Sequence, residues 1–112
     1  MSSKKYIKGF LEDIVLHLIG QEGEMYGYDL TKRVEELSTG AIKITEGALY
    51  PILHKLENEE KLTATFKEAN GRLRKYYTLT PIGGKKVETS AIDLLDFIGG
   101  LQQLFNVQPA SK

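Results

Sequence analysis

The 112-residue sequence predicts a mainly α fold carrying one β-hairpin, on three observations. Before residue 61, three stretches repeat apolar residues at spacings of three and four, the period of a helix with one buried face. The period then changes to two on both sides of Asn70-Gly71, the dipeptide best suited to a two-residue hairpin turn. After Thr80-Pro81 the helical spacing returns and continues almost to the end.

The first helix is expected over residues 4 to 21, with Ile7, Phe10, Leu11, Ile14, Val15, Leu18 and Ile19 on one stripe. Leu16 lies off that stripe and points to a second buried face. A second helix over 27 to 38 follows Leu30, Val34 and Leu37 and stops at Ser38-Thr39-Gly40. Ile42 and Ile44 alternate with polar neighbours and suit one very short strand. Thr45 is an N-cap for a third helix that runs to about Glu60, with Leu49, Ile52, Leu53 and Leu56 inward. Pro51 interrupts that helix, at a usual cost of about 3 kcal/mol. The carbonyl its ring crowds belongs to Gly47, which has no side chain and can relax.

The alternating runs LTATFKEA (62 to 69) and RLRKYYTL (72 to 79) pair across Asn70-Gly71. That register sets Lys67 opposite Arg74 and Thr65 opposite Tyr76 on one face, and Phe66 opposite Lys75 and Ala64 opposite Tyr77 on the other. In the last helix Val87, Ala91, Ile92, Leu94, Leu95, Phe97, Ile98, Leu101, Leu104 and Phe105 spread over more than one stripe. A helix apolar on so many sides needs a partner, and the simplest is the same helix of a second copy. The expected interface is Val87, Ala91, Leu94, Leu95, Ile98, Leu101 and Phe105. Whether Gly99-Gly100 ends this helix is left open by the pattern.

Three helices followed by a hairpin is the order of a winged helix-turn-helix, with the third helix as the reading helix and the hairpin as the wing. The chain therefore divides into a DNA-binding domain at 1 to 80, a dimerisation helix at 81 to 107 and a disordered tail at 108 to 112. With no cysteine, no secretory pattern and no apolar run near 18 residues, the expected setting is the cytoplasm, with no membrane segment.

Formal net charge is zero, which argues against indiscriminate coating of nucleic acid. Between Lys61 and Lys86, however, seven basic residues face one acidic residue, Glu68. Such a local patch suits a localised contact with an anionic partner. Lys67, Arg72, Arg74 and Lys75 at the hairpin tip are the candidate phosphate contacts on double-stranded DNA. Lys67 and Arg74 are a like-charge cross-strand pair, unfavourable by about 0.2 to 1 kcal/mol unless a phosphate lies between them. On the third helix, Thr45, Glu46, Gly47 and Tyr50 lie off the apolar stripe near the start, while Glu57 to Glu60 make the end acidic. Only the first half of that helix is thus expected to enter a groove. His17 and His54 have no ligand spacing and no nucleophile beside them, so neither an enzyme, a cofactor nor a metal site is expected.

The segments MYGYDL (25 to 30), EGALYPILHKLENEEKL (46 to 62) and RKYYTLTPIG (74 to 83) resemble PadR-type transcriptional regulators. The resemblance implies a homodimeric repressor that binds an operator of two-fold symmetry, with the last helix forming much of the dimer interface. In some members a small aromatic or hydrophobic effector binds near that interface, against a tryptophan in certain small members. Leu94 takes the tryptophan position here, with Phe97 close by. Where the family often has an acidic residue and glycine before the wing, this chain has Asn58-Glu59-Glu60-Lys61. Two other readings fit the same residues: a winged helix that docks on another protein through its apolar last helix, and a ligand sensor with an apolar cavity between last helices.

Overall fold

The computed structural model describes residues 8–105. A 3-10 turn at Lys8–Phe10 leads into α1 (Leu11–Glu22), followed by β1 (Met25–Tyr26), α2 (Gly27–Leu37), α3 (Glu46–Asn58), β2 (Leu62–Ala69), β3 (Arg72–Leu79) and α4 (Pro81–Phe105). The strands form one antiparallel sheet in the order β1-β3-β2. This is a winged helix-turn-helix with a long helix after the wing.

The core is built from the predicted stripes. Leu11, Val15, Leu18 and Ile19 of α1 are buried, and so is Leu16, so α1 does bury a second face. Leu30 and Val34 of α2 join them, as do Leu49, Leu53 and Leu56 of α3. The sheet closes this core with Met25, Leu62 and Tyr77. Thr45 caps α3 by accepting the Ala48 N–H at 3.2 Å. Pro51 is carried inside an unbroken helix. Gly47, whose carbonyl loses the partner, is exposed, so water can replace the missing N–H.

The hairpin has the expected register from Leu62↔Leu79 to Ala69↔Arg72. Asn70 and Gly71 both take positive φ, at 54° and 77°, as a type I′ turn requires.

Two expectations are corrected, and one open point is settled. The first helix starts at Leu11, after the 3-10 turn, and residues 4–7 of the expected helix lie outside the described residues. Ile42 and Ile44 form no strand; they pack into the core from the loop before α3. The third strand is instead Met25–Tyr26, which pairs with the open edge of β3 through Met25↔Tyr77 and Tyr26↔Tyr76. Two residues are too few to carry a period, so this strand exists because β3 offers a free row of backbone groups. Gly99-Gly100 does not end the last helix, which continues to Phe105. Its 25 residues reach roughly 37 Å. Residues 106–107 and the expected tail at 108–112 lie outside the described residues.

One junction connects α3, the wing and α4. The Thr80 hydroxyl donates to the Glu60 carbonyl, and the same oxygen accepts the Gly83 N–H at 3.0 Å, capping α4. The Thr80 N–H donates to the Lys61 carbonyl at 3.1 Å. Gly83 is buried against that carbonyl, where a β-carbon would stand 2.0 Å from the oxygen. Glu60, in the segment before the wing, takes the left-handed conformation, φ 62°, which favours glycine. A side chain there costs roughly 1 to 2 kcal/mol. Glu60→Gly is therefore expected to stabilise the fold by about 1 kcal/mol after the extra freedom of the unfolded glycine is counted. Thermal denaturation should show a midpoint roughly 4 °C higher.

Candidate nucleic-acid interface

The start of α3 presents Thr45, Glu46 and Gly47 to solvent. Tyr50, one turn on, is only half-exposed because its ring lies on Gly27. A β-carbon at Gly27 would meet the Tyr50 ring at 3.0 Å. The glycine of MYGYDL is thus what admits the tyrosine of GALYPIL. Burial raises the Tyr50 phenol above its ordinary pKa, and Glu46 adds to the shift. The hydroxyl, already a proton donor at neutral pH, is moved further from ionisation.

The acidic end of α3 is held within the protein. Glu57 Oε1 lies 3.0 Å from Lys75 Nζ, Glu59 lies 2.9 Å from Lys61, and Lys55, in the same helix, bonds Glu12 of α1. The hydrogen bond from Lys61 holds the Glu59 carboxyl below its usual range.

On the outer face of the wing stand Lys67, Arg72, Arg74 and Tyr76. The like-charge pair has found internal partners. Lys67 Nζ is 2.6 Å from Glu24 and 5.4 Å from the Tyr76 ring centre, while the Arg74 guanidinium lies 4.8 Å over the Tyr26 ring. Ring stacking leaves the Arg74 charge intact and relieves the crowding. Arg72, exposed beside the turn, makes no ion pair among the described residues.

Lys75 stands apart from these three. Strand alternation turns it to the inner face, where it bonds Glu57 and lies over the Phe66 and Tyr77 rings at 6.0 and 5.3 Å. That hydrogen bond raises the Lys75 pKa against the opposing effect of burial.

The geometry adds residues the sequence reading did not single out. Tyr26 packs on Tyr76 at 5.8 Å between ring centres and on Tyr28 at 6.4 Å, and Lys32 lies 5.7 Å from the Tyr28 ring. These tyrosines join the start of α3, through Tyr50 and Gly27, to the cationic face of the wing. The place of Tyr76 beside Arg74 followed from alternation. That of Tyr26 did not, because it depends on the β1–β3 pairing.

Helix α4 packs on α1, and the seven residues expected at a dimer interface divide into two sets. Val87, Ala91, Leu94 and Leu101 are half-buried, whereas Leu95, Ile98 and Phe105 are exposed. Ile92, Phe97 and Leu104 are exposed as well. Leu94 and Phe97 share an open groove of about 300 Å³ with Phe10 and Asp13, and the Phe97 and Phe10 rings lie 6.1 Å apart. Among the described residues no group of acids and histidines could hold a metal ion, and no helix is long and apolar enough to cross a membrane.

A helix-turn-helix with a cationic, tyrosine-lined wing defines a winged-helix regulator. The chain belongs to the transcriptional regulator PadR-like family, whose model matches residues 15–89. It is a regulator of transcription rather than an enzyme. A transcriptional regulator of Mycobacterium tuberculosis is 36% identical over 70 residues, which cover 61% of this chain and 63% of that protein. A PadR-like transcriptional regulator of Bacillus cereus superposes with a TM-score of 0.78 at 28% identity, covering 93% of this chain and 99% of the other. PadR of Bacillus subtilis, solved in complex with operator DNA, gives a TM-score of 0.67 at 28% identity, covering 77% of this chain and 48% of its own. The chain thus spans about half of that larger regulator.

The Gly27 and Tyr50 contact is directly testable. Gly27→Ala should cost about 1 to 3 kcal/mol in denaturant unfolding, since a methyl group would press on the Tyr50 ring at 3.0 Å and displace it. In a Tyr50→Leu background most of that cost should disappear, a coupling that a double-mutant cycle measures.

Proposed function

We propose that this protein is a dimeric repressor that binds a two-fold symmetric operator, with the first half of α3 in the major groove and the wing on the flanking phosphates. The observation that carries this reading is the continuous surface from Thr45, Glu46, Gly47 and Tyr50 through Tyr26 and Tyr76 to Lys67, Arg74 and Arg72. It combines groove-sized polar groups with cations on one side of the molecule, as sequence readers require. Operator DNA in the Bacillus subtilis neighbour supports the same assignment. Lys75 contributes by setting the wing against α3 rather than by facing phosphate. The proposed setting is the cytoplasm.

The second half of the proposal is the dimer. Ile92, Leu95, Ile98 and Phe105 leave α4 with an exposed apolar face that a single copy does not cover. A second α4 would cover it and space two reading heads along one duplex. The groove at Leu94 and Phe97 is then the proposed place for an aromatic or hydrophobic effector. The exposed face of α4 also fits a module that docks on another protein, and the DNA titration below separates the two.

Full-length protein titrated onto its own promoter duplex at two salt concentrations should bind more weakly as salt rises. Arg72→Ala should weaken binding to all duplexes similarly and lower the slope of log affinity against log salt by about 0.9. A salt-independent or undetectable interaction would favour the protein-docking module. Leu95→Asp should convert the dimer to a monomer in analytical ultracentrifugation and reduce operator affinity at least tenfold, because the two heads no longer bind as one unit.

A further inference from the structure

The cations of the wing are unequally available. Arg72 is exposed without a counter-charge among the described residues, and Arg74 rests on a ring that leaves its charge in place. Lys67 is the exception: its ammonium is 2.6 Å from the carboxylate of Glu24, in the turn between α1 and β1. Both side chains are partly exposed, Lys67 at 53% and Glu24 at 33%, so the pair lies at the surface that would face phosphate. The carboxylate eases the like-charge crowding of Lys67 against Arg74, a small effect at a solvated surface. The Tyr76 ring already supports Lys67 at 5.4 Å, and a surface ion pair contributes little to stability.

We infer that Glu24 is a built-in competitor for phosphate: it neutralises Lys67 and thereby lowers the affinity of the wing for DNA of any sequence. The inference rests on the DNA-binding reading. A phosphate approaching Lys67 meets a neutral pair, and the carboxylate remains beside it even if the lysine swings over. The outer face of the wing therefore delivers a net charge of two from three cations. Because the sequence-independent part of binding scales with phosphates neutralised, the carboxylate takes about one contact out of the general grip. The contacts of α3 with bases are left unchanged. Binding to random DNA is then weak enough that occupancy depends on the groove contacts of Thr45 and Tyr50.

The test is Glu24→Gln in the full chain, titrated on the promoter duplex and on a scrambled duplex between roughly 50 and 200 mM salt. Affinity for both duplexes should rise, by about threefold to tenfold at the lower salt, and the log–log slope should steepen by about 0.9. Glu24→Asp, which keeps the charge, should retain the wild-type slope. Asp96→Asn, the same charge change far along α4, should leave the slope unaltered. A Glu24→Gln protein with wild-type or weaker affinity and an unchanged slope overturns the inference, provided Arg72→Ala still lowers the slope. Equal steepening by Asp96→Asn also overturns it, since overall charge would then explain the effect. If the wild-type chain retains neither duplex at any salt, the DNA-binding reading itself fails, and the inference fails with it.

Discussion

The exit of α3, the base of the wing and the start of α4 are tied together by the hydrogen bonds at Thr80. Its hydroxyl and amide reach back to the Glu60 and Lys61 carbonyls, and its hydroxyl oxygen caps α4 through Gly83. Three elements meet within a few residues: the exit of α3, the base of the wing at Leu62↔Leu79, and the start of α4. Gly83 allows that meeting, because any side chain there would collide with the Lys61 carbonyl. Movement of α4 relative to the wing must strain this junction or unfold the first turn of the helix.

The second constraint joins the two reading elements themselves. Tyr50 lies in α3, Gly27 begins α2, and Tyr26 belongs to the strand that pairs with the wing. Tyr50 packs on Gly27, and the neighbouring Tyr26 pairs with Tyr76 of the wing. Tyr50 is therefore a packing residue whose half-exposed ring leaves it free for the groove role proposed for it. The ring packs on Gly27, and burial raises the phenol pKa.

The features legible in the sequence were those with a period or a local turn rule behind them. Asn70-Gly71 and eight alternating residues on each side determined the wing to the residue, including the inward place of Lys75. The leucines of α3 were legible for the same reason, and the cap at Thr45 required only local chemistry. Features resting on distant partners were not legible. β1 has two residues and no period, so its edge pairing could not be read. Glu24 and Lys67 are 43 residues apart, and nothing in either neighbourhood announces the pair. The repulsion between Lys67 and Arg74 was visible, but its relief by Glu24, Tyr76 and Tyr26 was not. Glu60 lay between these cases: its departure from the family pattern was visible, its left-handed backbone was not.

Zero net charge acquires a physical meaning from these pairings. Many of the cations near the reading surface and the end of α3 are bound by carboxylates of this same chain: Lys55 by Glu12, Lys61 by Glu59, Lys67 by Glu24 and Lys75 by Glu57. Each such pair subtracts from the long-range attraction that draws a basic protein onto any polyanion. On the outer face of the wing, Arg72 and Arg74 make no ion pair among the described residues. A protein organised in this way gains little from non-specific contact and more from docking that engages α3 and the wing together. Covering the apolar face of α4 with a second copy would double both contributions at once. Weak general attraction and the proposed dimeric recognition would then be two parts of one solution to finding a particular site among many.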